Sequence, residues 1–407
     1  MTNPFPSVPL PAHVPESLVR PFPFIIGVTT QRDPFNDMAD SVHQWPDVFY
    51  APHVYPGGGP AWIVRKAQDL QKIYLDTKNF SSKDFAPFAK MIGASWSLVP
   101  AEIDPPVHAL YRTLLNPLFT PKAMTKLEDG IRRYAREGIL QFRDRGECEY
   151  MADFAFNFPI RVFLELMGLP LEMTPQFLEW EMALLHNYDM AVLADATRSV
   201  VAYLTDEIKD RRQNPKDDLI THFVRAEIEG RKLTQDELIG FTFLLFIGGL
   251  DTVSANIGLH AAHLARTPNH QRFLRKNPDR IPDAIEELMR AYAPVTTFRT
   301  CVNELEFKGV RMMPGDKVAM CTTIAARDPE EYDAPSEVRL DRKPRHVAFG
   351  YGPHLCLGMH LARRELRIAL EEFLALVPDF QIKSGHTLDW HMGVIQPVAL
   401  PLVWKVG

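Results

Sequence analysis

A chain of 407 residues and 46.4 kDa is long enough for two or three average domains, or for one large one whose core can enclose a cofactor. Its net charge of −6 argues against non-specific nucleic-acid binding, so any basic patch must be local. With 46% hydrophobic and 24% charged residues the composition is that of an ordinary soluble globular protein.

The first six residues, Met1-Thr2-Asn3-Pro4-Phe5-Pro6, show no basic segment followed by an apolar one, so no secretory signal is expected there. The longest apolar run, 238–250, is too short to span a bilayer and is followed by Asp251. A cytoplasmic protein with no membrane partner is therefore expected. Cys148, Cys301, Cys321 and Cys356 lie far apart, as suits a reducing compartment. Residues 1–40 are proline-rich and weakly periodic, and are expected to wrap over the surface. Segments 49–54 and 61–65 read as short strands around the glycine-rich turn at 56–60, with a helix over 66–74.

Residues 80–100 are apolar but follow neither period, which suits a loop that either lines a pocket or caps the core. Asp104-Pro105-Pro106 then starts a helix, and His108 and Arg112, four apart, share one of its faces. Helical periods dominate from 122 to 275, with candidate helices at 123–143, 154–167, 175–193, 195–212 and 218–229. The next helix opens on the capping box Thr234-Gln235-Asp236-Glu237 and runs to about 266, long and apolar enough to cross the middle of the molecule. Within it, Gly248 and Gly249 cost about 1 kcal/mol each relative to alanine, so something must need the space. Asp251 and Thr252 follow, an acid and an alcohol where an apolar helix should carry neither. Glu287 and Arg290, three apart, can pair on one helix, a weak motif by itself. Residues 293–299 have strand character and one cation, Arg299, while 307–310 and 317–321 read as a hairpin around Met313-Pro314-Gly315-Asp316. Short strands near 395 and 400–404 close the chain.

The most patterned stretch is Phe349-Gly350-Tyr351-Gly352-Pro353-His354-Leu355-Cys356-Leu357-Gly358, which leads into a helix over 357–376. A thiolate before a helix N-terminus meets aligned amides and a favourable dipole. A nucleophile needs a base and an orienting partner, a redox sensor a resolving cysteine, and zinc several closely spaced ligands. A single cysteine in a glycine-cleared cup suits a flat cofactor whose iron takes one axial protein ligand.

This loop resembles the haem-binding loop of the cytochrome P-450 family, and the other motifs occur in that family's order. Within the family, residues 248–253 and 355–365 are especially similar to the bacterial camphor hydroxylases. The resemblance implies a mainly α fold, a single large helical domain with small β sheets over residues 1–407. It implies haem b held by the Cys356 thiolate, whose electron donation favours O–O cleavage. His108, Arg112, Arg299 and His354 would meet the propionates, and Phe349 and Gly248 would lie against the ring. Asp251 and Thr252 would deliver protons during dioxygen activation. Leu244, Ile247, Val295, Thr297 and Ile395 would face the substrate, and Glu287, Arg290 and Arg342 would form a buried scaffold. The implied activity is insertion of one oxygen atom from O2 into a C–H bond.

No flavin or iron–sulfur motif is present, so electrons are expected from a separate 2Fe–2S ferredoxin and its NAD(P)H-dependent reductase, docking near Arg112, Arg363 and Arg364 on a monomer. Where camphor hydroxylases place a tyrosine against the camphor ketone, this chain has Trp96, whose N–H reaches differently. A small terpenoid or norisoprenoid, such as an ionone, is expected to fit better than camphor.

Overall fold

A computed structural model describes residues 9–22, 24, 28–29, 33–55 and 59–406. Helices form the body, and among the described residues five small sheets of two to five strands accompany them. The largest sheet has five strands in the order Val48–Tyr55, Gly59–Val64, Lys317–Cys321, Thr296–Cys301 and Phe80–Ser81. Its centre pairs Lys317–Cys321 in parallel with Gly59–Val64 and antiparallel with Thr296–Cys301, from Lys317 opposite Thr300 to Cys321 opposite Thr296. The chain therefore leaves the strand carrying Thr297 and Arg299 anchored on both sides.

The capping box forms as the sequence predicts. Thr234 Oγ1 accepts from the Glu237 amide at 3.2 Å, and Glu237 accepts from the Thr234 amide at 2.6 Å. Glu237 also takes the Tyr111 hydroxyl at 2.6 Å and Arg231 at 2.7 Å, so the cap ties this helix to Val107–Leu115. Those donors hold its carboxyl down to about 2, with Arg231 the largest cause. The helix then departs from expectation: it is not continuous to 266 but divides into Gln235–Gly249 and Asp251–Arg266, with Leu250 between them at φ −99°, ψ −73°. Two glycines with no Cβ to pack are where an apolar helix yields most easily. The run Gln235–Arg266 is long and apolar enough to cross a membrane, but 67% of its most apolar stretch is buried inside the protein.

Other boundaries differ in ways that follow from packing. The expected helix 175–193 stops at Leu185, and a new one, Met190–Gln213, starts on the Asp189 cap; 154–167 becomes a π turn, Met151–Ala155, followed by Asn157–Met167. The helix expected over 218–229 is shortened to Leu219–Arg225, followed by the small hairpin of Glu227–Ile228 and Arg231–Lys232. The predicted hairpin is re-paired: Leu305–Phe307 turns at Lys308 and Gly309 onto Val310–Met312, while 317–321 goes to the large sheet. The turn expected at 56–60 lies partly outside the described residues. Of the N-terminal segment expected on the surface, Phe22, Phe24, Phe35 and Met38 are instead buried in the main core. Asp251–Arg266 is buried along nearly its whole length. Met359–Leu376 packs beside it and is pinned to Glu128–Leu140 by Arg132 on Glu371 and Glu372, both at 2.6 Å.

Candidate active site

The cysteine loop folds back on itself because Val347 and Phe349 carbonyls accept the Gly350 and Cys356 amides at 2.8 and 2.9 Å. Gly350 and Gly352 sit at φ +72° and +69°, and a Cβ on Gly352 would come within 3.2 Å of the Tyr74 carbonyl oxygen, so the second glycine is required by both backbone and space. Arg112 Nη1 donates to the Leu355 carbonyl at 2.9 Å, clamping the residue before the cysteine. Arg363 lies 4.6 Å from the centre of the Phe349 ring and forks onto Glu286 at 2.6 and 2.8 Å.

Cys356 opens onto an interior cavity of about 350 Å³. Enclosure by protein pushes its thiol up, and the Gly358 amide, Arg112 and Arg363 only partly oppose this. The helix proper begins at Met359, so the helix end alone does not stabilise the thiolate; a metal ion held by Cys356 would supply the missing charge. The same cavity wall includes Gly248, Gly249 and Thr252 from the broken helix, Leu244 one turn earlier, Phe349, Val295, Thr297, Arg299, His108, Arg112 and His354. A Cβ on Gly249 would meet nothing within 4 Å, and one on Gly248 only the tip of Leu244: the space the glycines leave belongs to the cavity.

His108 and His354 lie with ring centres 4.1 Å apart and planes tilted by 45°, and burial, with Arg112 and Arg299 close by, pushes them down to about 4 and about 3. The permanent positive charge of this wall is carried by the arginines. Arg299 is 7% exposed, bonds among the described residues only to its neighbour's carbonyl, at 2.8 Å, and lies 5.3 Å from the Tyr74 ring centre. Among the described residues the hydrogen bonds of Arg112 and Arg299 go to Asn116 and to the Leu355 and Phe298 carbonyls, not to a carboxylate, and His108 Nε2 is buried without a partner. Burying a cation without a counter-charge is costly, so a cavity walled by the buried Arg299, the half-buried Arg112, an unpaired imidazole nitrogen and a thiol suits an anionic ligand that the thiol would help to hold. Those residues fit haem b.

Three substrate-facing expectations fail. Trp96 packs on Phe243 at 4.9 Å between ring centres, and its indole N–H is buried without a partner, outside the cavity wall. Ile247 falls about 100° round the helix from Gly248 and is likewise outside it. Ile395 is in the main core, and only its amide contributes, donating to the Pro294 carbonyl at 3.0 Å next to Val295. Asp251 is also absent from the wall: it is 3% exposed and its Oδ1 accepts from His186 at 2.8 Å and Gln396 at 2.6 Å. Thr252 Oγ1 donates to the Gly248 carbonyl at 3.1 Å. Away from the cavity, Glu287 accepts from Arg290 at 2.8 and 2.9 Å and from Arg342 at 3.1 Å, all three side chains being buried or nearly so.

Sequence reasoning missed Tyr74, whose hydroxyl meets Thr297 Oγ1 at 3.1 Å, and Leu245, Asn256 and Glu365, all in the wall. Asn256 donates to the Thr252 carbonyl at 2.7 Å and leaves its oxygen unpaired. Burial holds the Glu365 carboxyl well above the usual range, so it is protonated. An acid on the apolar stripe of Leu361, Glu365 and Ala369 was a readable signal; Tyr74 and Leu245 looked like ordinary core.

A helical body with small sheets, and a cysteine loop facing a broken apolar helix across an anion-binding cavity, define a haem–thiolate oxygenase. Residues 162–383 match the family model for cytochrome P450, and the chain belongs to that family. It is 40% identical over 405 residues to a probable cytochrome P450 127A1 of Sinorhizobium fredii, covering 97% of each chain. It is 31% identical to a mycinamicin IV hydroxylase/epoxidase of Micromonospora griseorubida, covering 86% of this chain and 91% of that one. The solved structure of CYP101J2 superposes with a TM-score of 0.88 at 30% identity, covering 98% of this chain and 100% of that one. The protein is a P450 monooxygenase that binds haem b.

Proposed function

We propose that the enzyme hydroxylates a small hydrophobic terpenoid or norisoprenoid, using electrons from a separate 2Fe–2S ferredoxin and its NAD(P)H-dependent reductase in the cytoplasm. The overall change is RH + O2 + 2 e⁻ + 2 H⁺ → ROH + H2O. Haem, when bound, supplies the redox chemistry of O2, with the Cys356 thiolate as electron donor to it. The chain's own part is to bind, orient and deliver protons. Arg112 and Arg299 would neutralise the propionates through charge-assisted bonds, helped by the free Nε2 of His108. Thr252 would position protons beside the cleared glycines, fed by Asp251.

The observation that carries the substrate class is the wall itself, where Phe85, Leu244, Leu245, Val295 and Phe298 present hydrocarbon. Since Trp96 is turned into its own aromatic packing, no indole donor awaits a ketone, which supports poor use of camphor for a simpler reason than altered reach. The ferredoxin surface is more modest than the sequence suggests: Arg363 is paired with Glu286 and Arg364 with Glu128 at 3.0 Å.

The test is a spectral titration of terpenoids, ionones and camphor, followed by turnover with ferredoxin and reductase. An ionone or terpenoid should shift the iron spin state at lower concentration than camphor, and reductant consumed should match alcohol formed. Equally tight camphor binding overturns the substrate class. Turnover by hydrogen peroxide but not by ferredoxin overturns the electron source.

A further inference from the structure

Behind the break at Leu250, on the side of the helix away from the cavity, lies a buried polar cluster that haem binding does not use. It joins three parts of the chain distant in sequence: Glu181 and His186 at the end of Thr174–Leu185, Asp251 at the start of the second half-helix, and His391 and Gln396 on the C-terminal strands. Both donors to Asp251 fall on the same oxygen, Oδ1. The His186 ring lies 4.5 Å from that of His391, and His391 Nε2 is 3.0 Å from the hydroxyl of Tyr188, which is 48% exposed. The cluster thus reaches from solvent to the acid beside Thr252.

Two features separate it from a simple structural tie. Among the described residues four buried polar atoms have no hydrogen-bond partner: both Glu181 carboxyl oxygens, Gln396 Oε1 and His391 Nδ1. Unpaired atoms gathered in one place are where buried water is held, and water completes a hydrogen-bonded route. Moreover, the residues facing Asp251 are imidazoles, the side chains that exchange protons near neutral pH, rather than a permanent cation. The titratable groups around His186 are Asp251 on the central helix, Glu181 on its own helix, His391 from the strand and Tyr188 from the following loop.

We propose that Tyr188, His391 and His186 form the route by which solvent protons reach Asp251, with His186 the positioning residue that holds the carboxylate and passes the proton on. The inference rests on the reading that Asp251 feeds Thr252. Each step moves one proton and no electron: protonated His186 gives its Nε2 proton to Asp251 Oδ1, and the neutral ring regains one from solvent by way of Tyr188, His391 and bound water. Burial pushes the Glu181 carboxyl well above the usual range, with the Asp251 charge adding to this, so Glu181 stands beside the route as a neutral acid and does not compete for the proton.

The experiment uses the ferredoxin-driven holoenzyme and its His186→Gln, Tyr188→Phe and Asp251→Asn forms. Glutamine keeps a donor to Asp251 but cannot titrate. His186→Gln should retain haem, the reduced carbon-monoxide spectrum and substrate affinity, while kcat falls about tenfold with KM unchanged and the solvent deuterium isotope effect grows. The pH dependence of kcat should differ between wild type and His186→Gln, because glutamine cannot take up a proton. Tyr188→Phe, at the surface and safe for folding, should lower kcat a few fold. Independently of turnover, the His391 ring resonance of the carbon-monoxide-bound enzyme should move in both His186→Gln and Tyr188→Phe. Unchanged kcat and pH profile in both variants, with Asp251→Asn impaired, overturns the route. Full turnover in Asp251→Asn instead overturns the reading beneath it.

Discussion

At the residue scale the informative positions are those whose burial makes no sense without a ligand. Arg299 is a buried guanidinium whose one hydrogen bond among the described residues is to a carbonyl, and burial pulls its pKa below the usual range. If Arg299 meets a propionate as proposed, replacing it with leucine removes a charge-assisted contact worth about 1.5–3 kcal/mol, so haem loss to an apo-globin acceptor should speed up by about tenfold to a hundredfold. The same change relieves an unpaired buried charge, so the haem-free Arg299→Leu protein should melt higher than haem-free wild type. A lower melting point in the haem-free variant would show that Arg299 has a partner in the folded chain. Cys356 and the glycines around it were legible in the sequence because a tight loop with two positive φ angles restricts residue choice. His186 and Gln396 were not, since each lies 65 or 145 residues from the Asp251 it contacts, and nothing local marks either.

At the element scale the break at Leu250 and the Glu287 cluster make opposite demands. Gly249→Ala adds a methyl group that meets no atom and improves helix propensity, so stability should rise by about 0.5–1 kcal/mol while substrate binding weakens because the methyl enters the cavity. Thermal unfolding and spectral titration of the same sample read the two effects. Glu287→Gln removes the one carboxylate shared by Arg290 and Arg342, leaving two cations uncompensated beside the helix Ile281–Ala291. A loss of about 3–5 kcal/mol is expected in denaturant unfolding. A loss below about 1 kcal/mol would place the cluster with ordinary surface pairs. The pairing of these residues was a weak sequence motif, and what made it strong is burial, which sequence spacing does not report.

At the scale of the whole molecule, stability should depend on pH through buried imidazoles. His260 and His263 are pushed from 6.5 down to about 3 by burial, the largest cause for both. Unfolded protein takes up protons that the folded chain refuses once pH drops below 6.5, so stability falls from there toward about 3. Glu181 and Glu365, with carboxyls held well above 4.5 by burial, act in the opposite sense and lose their contribution as pH rises. His260→Gln with His263→Gln should flatten the decline between pH 6.5 and 5 by up to about 2.7 kcal/mol per pH unit, read from urea midpoints. An unchanged slope would show that these imidazoles are charged in the folded protein.

The sequence alone determined what local chemistry determines: the cysteine loop, the capping box at Thr234, the acid–alcohol pair after two glycines, and from these the family, the mainly α fold and haem. Tertiary structure decided everything that depends on direction. It turned Trp96 onto Phe243 and Ile395 into the core, both of which the sequence had placed against substrate. It lowered the pKa of His108 and of His354 by burying them side by side, with two arginines near. It also turned Asp251 away from the cavity toward His186 and Gln396. Periodicity states which residues share a face, but which face meets the cavity, and which partners wait behind it, is fixed only when distant segments pack.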